Sequence, residues 1–179
     1  MVLYFIGIPA DNPLFSIYHT NLIVDIIKRE PQLDFIYTKG MPIGVNIYGI
    51  KIKALKTICE VKKEVDTEIW GYLINRPEIF NVRELEVEDY YKYPKVERIT
   101  LDHYEDYLFF KKIFEKFPQD TIIDTLDVYK VLDENLDIIE INKHIKQRDL
   151  PEEVKQRIDK FFKENKEKII ELKNSIYNP

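Results

Sequence analysis

The chain has one cysteine, Cys59, among 179 residues. That excludes a disulfide framework and a thiol-based metal cluster. It leaves the reading of a buried core thiol in a reducing cytoplasm. No apolar run reaches the length of a membrane helix, and no basic stretch followed by a long apolar segment opens the chain, so neither a membrane span nor a secretory leader is expected. An excess of basic charge is also missing. The 27 Lys and Arg stand against 32 Asp and Glu, a net charge of −5, which carries no nucleic-acid footprint, although a local basic pocket can hide in such a balance. Only five glycines are present, and they are scattered. They make no glycine-rich loop of the kind in which bare backbone closes on phosphates.

What the chain does have is 45% hydrophobic and 33% charged residues, the composition of a globular domain with a sizeable core. The 12 Tyr and 10 Phe are many for this length, and some are expected to cover an interface. Residues 2–14 open with a continuous apolar run that breaks at Pro9 and presents Asp11 in an Asp-Asn-Pro turn. Such a run suits a strand buried on both faces. A carboxylate just past its carboxyl end stands where open α/β sheets place ligands. The same three residues are also ordinary turn and helix-entry chemistry.

Ser16 predicts the cap of a helix running to about residue 29, with Leu22, Ile23, Ile26 and Ile27 on one face. His19, in its first turn, is read as a capping or surface residue. Strands are predicted over 34–37, 45–50, 80–87 and 98–101, and an amphipathic helix over 51–63 with Ile52, Leu55, Ile58 and Cys59 inward. Asp66-Thr67-Glu68 predicts the cap of a helix carrying Trp70. The Tyr90-Tyr91-Lys92-Tyr93-Pro94 loop is read as packing rather than base stacking. Asp102 closes the 98–101 strand, and a helix follows over 104–117, the same grammar as at Asp11. Two strand-end carboxylates in one sheet can converge, and oxygen ligands of that kind suit Mg2+ when substrate phosphates complete its shell. After Pro118 the pattern turns helical, over 125–134, 136–142 and 152–177, Pro151 preceding the last helix favourably. The division expected is an α/β part, 1–118, and a helical tail, 119–179. The final helix is read as an oligomerisation element, with packing back on its own domain as the alternative.

Several of these segments resemble sugar-activating cytidylyltransferases of the spore-coat-polysaccharide and CMP-sugar-acid synthetase type. Ala10-Asp11-Asn12-Pro13-Leu14 resembles that group's Gly-Asp-x-Pro-Leu turn, and Gly44-Val45-Asn46-Ile47-Tyr48 its Gly-Leu-Asp-Val-Glu strand. Asp66 to Tyr72 with Asn75-Arg76-Pro77-Glu78-Ile79-Phe80 resembles its helix and Asn-Pro-Glu-x-Phe turn. Arg98-Ile99-Thr100-Leu101-Asp102 with Glu105-Asp106 resembles its Arg-Leu-Thr-Val-Asp-Thr-Pro-Glu-Asp segment. Ile141-Asn142-Lys143-His144-Ile145-Lys146-Gln147 is similar to its helical tail.

The resemblance implies a Rossmann-like, glycosyltransferase-A-like sheet and transfer of CMP from CTP to a sugar or sugar acid. Asp11 and Asp102 would be the catalytic, Mg2+-binding pair, with Asn46, Glu68 and Trp70 around the sugar and Arg98 on a phosphate or carboxylate. An ion pair is the alternative role for Arg98. The group's opening strand and glycine-rich nucleotide loop have no counterpart here, Asn46 stands where many members have Asp, and His103-Tyr104 replaces Thr-Pro. His103 is read as a cap rather than a ligand. These departures imply an N-terminally incomplete fold, an uncovered sheet edge, and either a homo-oligomer or a partner chain supplying the nucleotide loop. The other reading is a non-catalytic interaction or sugar-recognition module that keeps the fold.

Overall fold

A computed structural model of the chain describes residues 3–62 and 71–178. The predicted cap at Asp66-Thr67-Glu68 and the candidate site residues Glu68 and Trp70 lie outside the described residues. Four strands form one mixed sheet in the order β1-β3-β2-β4: β1 Tyr4–Gly7, β2 Phe35–Thr38, β3 Tyr48–Lys51 and β4 Val82–Leu85. β3 runs antiparallel to both β1 and β2, and β2 pairs in parallel with β4.

The helices follow the sequence signals closely. α1 (Ile17–Arg29) starts at Ser16, whose hydroxyl accepts the His19 N–H, and it buries Ile23, Ile26 and Ile27. α2 (Ile52–Val61) and α3 (Gly71–Ile74) precede β4. α4 (Tyr104–Phe114), α5 (Thr125–Glu134), α6 (Leu136–Glu140) and α7 (Glu152–Tyr177) complete the chain. Alternation along β2 sorts two layers. Ile36 faces the cluster of Ile23, Ile26 and Ile27 from α1. Phe35 faces Ala54 and Ile58 of α2, Leu73 and Ile74 of α3, and Ile158, Phe162 and Ile169 of α7. A further core gathers Leu14, Met41 and Val45 from loops, Phe109, Phe110 and Ile113 from α4, and Val128, Leu132 and Ile138 from α5 and α6.

Three expectations are corrected here. β1 is an edge strand, half-buried, with Leu3, Phe5 and Ile8 exposed; among the described residues it pairs only with β3, so its apolar run does not mark a central position. Cys59 is exposed, because α2 turns Ala54, Thr57 and Ile58 inward instead. Burial of Thr57 is tolerated because its hydroxyl donates to the Lys53 carbonyl. Helices from both sides of residue 118 share the same hydrophobic clusters, and α7 packs on α2 and the sheet. Finally, residues 98–101 form no sheet strand; one parallel bridge joins Arg98 to Ile43.

That bridge stops short for a local reason. Gly44, next to Ile43, has φ +92°, and a Cβ placed there would lie 2.0 Å from the Ile99 carbonyl oxygen. The backbone turns away in a left-handed conformation that only glycine adopts without strain. Gly44→Ala is expected to cost at least about 1–3 kcal/mol, read as a drop of several degrees in the thermal unfolding midpoint. An unchanged midpoint would mean that the two backbones separate freely.

Candidate functional site

Three segments distant in sequence meet beside the edge of this loop core. The first is the turn at 9–14, closed by the Asn12 N–H to the Pro9 carbonyl at 3.0 Å. The second is the Gly44 turn, and the third is residues 97–102. Ile43 N–H donates to the Glu97 carbonyl at 3.0 Å, and Ile99 N–H donates back to Ile43 at 2.6 Å. Leu101 N–H donates to the Asp11 carbonyl at 2.8 Å, and the Thr100 hydroxyl lies 3.4 Å from the same oxygen. Asp11 is therefore bonded through its backbone to the residue preceding Asp102. The side-chain oxygens Asp11 Oδ1 and Asn12 Oδ1 are buried there without a hydrogen-bond partner. Gly44 leaves the space into which Asn12 Oδ1 points, its absent Cβ falling 3.1 Å from that atom.

Asp102 sits on the rim of a buried ionic hub. Arg98, only 3% exposed, donates from Nη2 to Asp102 Oδ2 at 2.6 Å and to Asp106 Oδ2 at 2.8 Å. Asp106 is wholly buried. Its Oδ2 also accepts the N–H groups of Asp102 and His103, and its Oδ1 accepts from Asn142 Nδ2 at 2.9 Å. Burial pushes the Asp106 carboxyl upward, but the Asn142 amide, the two backbone N–H groups and Arg98 outweigh it and hold the group below the ordinary carboxylate range. His103 stands at the N-cap of α4, the capping role expected of it.

The hub accounts for two of the candidate residues. Arg98 is an ion-pairing residue and is turned toward Asp102 and Asp106. Asp102 keeps a partly open side chain, 37% exposed, on the outer side of that pair. Asp102, His103 and Asp106 bring ligand-type atoms within 4.8 Å of one another, but both oxygens of Asp106 are already committed to donors. Asn46 lies in the turn before β3 and spends its amide on the Met41 and Pro42 carbonyls, so its side chain fixes the Gly44 turn. Beside Asp11, the residues Ala10, Pro13, Leu101, Tyr107, Phe110 and Phe114 line a largely apolar groove of about 560 Å³.

Sequence reasoning did not single out Asp106 and Asn142 as functional or structural centres. A local signal existed for Asp106, an acidic residue three positions after an N-cap in the manner of a capping box. Asn142 carried none, since its partner lies 36 residues away. His19, read as a cap or surface residue, is fully buried, with Nδ1 2.8 Å from the Ser16 hydroxyl and Nε2 3.4 Å from Glu88 Oε2. Burial lowers its pKa, and Glu88 only partly opposes that. Ser16 is equally buried, so the Ser16–His19–Glu88 row fastens α1 to the 88–91 turn and offers no accessible nucleophile.

This four-stranded sheet with its layers of helices is a mixed α/β fold. The chain is similar in structure to a cytidylyltransferase from Leptospira borgpetersenii serovar Hardjo-bovis (strain JB197), with a TM-score of 0.68 and 21% sequence identity. The match covers 80% of this chain and 61% of that one. No protein-family model and no curated protein matches the chain. Among the described residues no helix is long and apolar enough to cross a membrane.

Proposed function

We propose that the chain provides the metal- and acceptor-facing part of a cytidylyltransferase site, in which CMP passes from CTP to a sugar or sugar acid. The observation that carries this reading is the junction of Asp11 with residues 101–102, where a buried carboxylate oxygen of Asp11 has no donor of its own. Nucleotidyl transfer depends on positioning and on neutralising spreading negative charge. An unmet carboxylate oxygen on Asp11, whose backbone is bonded to the residue preceding the partly exposed Asp102, suits a hard divalent cation. Asp11 and Asp102 would hold Mg2+, which when bound would neutralise phosphate oxygens and orient the triphosphate.

The chain's own residues set the terms of that binding. Backbone bonds, not the side chain, fix Asp11 to Leu101, so the carboxylate is free to take a ligand. Arg98 holds the Asp102 side chain in place through its Nη2, and its positive charge limits how strongly the pair attracts a cation in the absence of phosphate. The groove lined by Leu101, Tyr107 and Phe114 offers an apolar wall next to the carboxylates. The lack of a glycine-rich loop among these 179 residues leaves the nucleotide's phosphates to a partner chain or to an upstream segment. It is also the specific observation behind the second reading, a non-catalytic module that keeps the fold.

Calorimetric titration of the whole chain with CTP, with and without Mg2+, separates the two. The expected result is binding that requires Mg2+ and weakens about tenfold in Asp11→Asn, the loss of roughly one charge-assisted contact. Because the backbone carbonyl of Asp11 is retained, the variant should keep its circular dichroism spectrum. No Mg2+-dependent heat, or equal affinity in the variant, would leave the non-catalytic module standing.

A further inference from the structure

We propose that the outer edge of β1 pairs with the same edge of a second copy of this chain, antiparallel, about a two-fold axis at Phe5. The hydrogen-bond pattern of the sheet fixes which groups that edge offers. The Ile52 N–H donates to the Leu3 carbonyl at 2.9 Å, and Tyr4 stands opposite Lys51. Antiparallel ladders alternate between bonded and non-bonded pairs. Leu3, Phe5 and Gly7 therefore turn their backbone groups toward β3, and Tyr4 and Ile6 turn theirs outward. Among the described residues no backbone bond reaches that outer side. What covers it must supply N–H and C=O groups in alternation, and a strand supplies them.

The composition of the edge selects a copy of itself as that strand. Residues 3–8, Leu-Tyr-Phe-Ile-Gly-Ile, carry no charge and no proline, and the register with β3 runs unbroken by a bulge. The usual devices that block an exposed edge are thus missing. A two-fold sets the strand against itself, which a charged edge would resist and this one does not. With Phe5 on the axis, Tyr4 of each copy exchanges hydrogen bonds with Ile6 of the other, so both outward residues of β1 are used. Leu3 and Phe5 share a face and are 53% and 46% exposed. Phe5 meets its own copy at a non-hydrogen-bonded position, where side chains come closest. Leu3 comes opposite Gly7 of the copy, whose face is covered by the Tyr48 ring: a Cβ on Gly7 would fall 1.8 Å from Tyr48 Cε2. Leu3 thus gains an aromatic surface to cover. The contact joins two four-stranded sheets into one. Its area is at the small end for specific interfaces, under about 1,200 Å², and the dimer is correspondingly weak, with a dissociation constant of roughly 10–100 μM.

The paired strands run in opposite directions, so the two Asp11 turns lie at opposite ends of the contact and neither borrows residues from the other copy. The dimer is independent of the CTP reading. The test is sedimentation equilibrium of the full chain, under reducing conditions, from about 5 to 500 μM. The weight-average mass is expected to rise from that of one chain toward that of two. Phe5→Lys sets like charges face to face on the axis, at a position already exposed. It is expected to weaken association at least about tenfold and to leave the circular dichroism spectrum unchanged. Cross-linking reads the register, in a Cys59→Ser background because Cys59 is exposed. In Phe5→Cys the two axial Cα atoms would lie about 4.5 Å apart, within disulfide range. Oxidised glutathione is expected to link them, each new disulfide reducing one glutathione disulfide to two thiols. Leu3→Cys, set opposite Gly7 of the copy, is expected to link at least about tenfold more slowly. A single-chain mass at every concentration would overturn the proposal and leave the edge to a strand of another polypeptide. So would undiminished association of Phe5→Lys, which places the contact elsewhere, or equal linking rates for the two cysteine variants. Magnesium-dependent CTP binding should be the same in Phe5→Lys and the wild type, which keeps the two tests apart.

Discussion

Asp106→Ala is expected to destabilise the fold by about 3–5 kcal/mol, the range found when one partner of a buried ion pair is removed. The side chain has no solvent exposure, and four donors converge on it: the Arg98 guanidinium, the Asn142 amide and the N–H groups of Asp102 and His103. Its removal leaves a buried guanidinium with only the rim residue Asp102, and leaves the entry to α4 without its reciprocal cap. Asp102→Ala removes the other partner of the same arginine, but from a position that solvent already reaches, and should cost no more than about 1 kcal/mol. Urea unfolding of the two variants measures the contrast as a shift in midpoint at constant slope. Against a total stability of about 5–15 kcal/mol, the Asp106 variant falls near or below the folding limit. Asp106→Asn, which retains the shape and one acceptor, should lie between the two. Equal midpoints for the Asp102 and Asp106 variants would show that Arg98 draws its support from both alike, and that Asp102 is a structural residue first.

That contrast bears on what the sequence could disclose. The convergence of Asp11 and the 98–102 segment was legible because each motif carries its own turn chemistry, and because their order along the chain resembles that of one family. The division of labour between Asp102 and Asp106 was not. Adjacent carboxylates in sequence look alike, and only the arrival of Asn142 from beyond α6 makes one of them a buried centre. Helices were the easiest elements to place. Ser16 marked the start of α1, and the bounds of α5 and α7 followed from their flanking signals. The strands misled more. A continuous apolar run at residues 2–8 reads as central, yet β1 lies at an edge; hydrophobicity records that a residue can be buried, not how many neighbours its strand will have. Residues 98–101 have strand composition, but a ladder needs a partner able to run beside it, and the Gly44 and Asn12 turns cannot. The inward face of α2 was misread at Ile52 and Cys59, which are exposed, because the helix is rotated so that Ala54, Thr57 and Ile58 are the residues it buries.

Asp34→Asn should remove the main anchor of α7 and, with it, a defined part of the protein's acid sensitivity. Asp34 immediately precedes β2 and is buried. Its Oδ2 accepts from Lys173 at 2.7 Å and from the Asn81 N–H at 3.0 Å, and its Oδ1 accepts from the Tyr177 hydroxyl at 2.7 Å, with Lys51 at 3.4 Å. Lys173 and Tyr177 lie in the last turns of α7, 139 and 143 residues away, so a single carboxylate closes the end of the longest helix onto the sheet. Burial pushes its pKa upward, but the Lys173, Asn81 and Tyr177 hydrogen bonds and the Lys173 charge prevail, holding it below the ordinary value of 3.8. The sign follows from proton binding. Between the depressed folded value and 3.8 the unfolded chain holds more protons, so stability rises with pH across that interval. The contribution is complete above the unfolded value and is lost as pH falls through the folded one. At neutral pH, Asp34→Asn should cost about 3–5 kcal/mol, because it strands Lys173 and Lys51 near the interior. The gap between wild type and variant should be constant from neutral pH down to about pH 5 and should narrow below about pH 4, where the Asp34 carboxyl of the unfolded wild-type chain begins to protonate. Urea midpoints of both proteins across that range give the curve directly. A gap that stays constant down to the lowest pH would show that the anchor acts through shape and neutral hydrogen bonds, and that the charge on Asp34 contributes nothing to holding α7 in place.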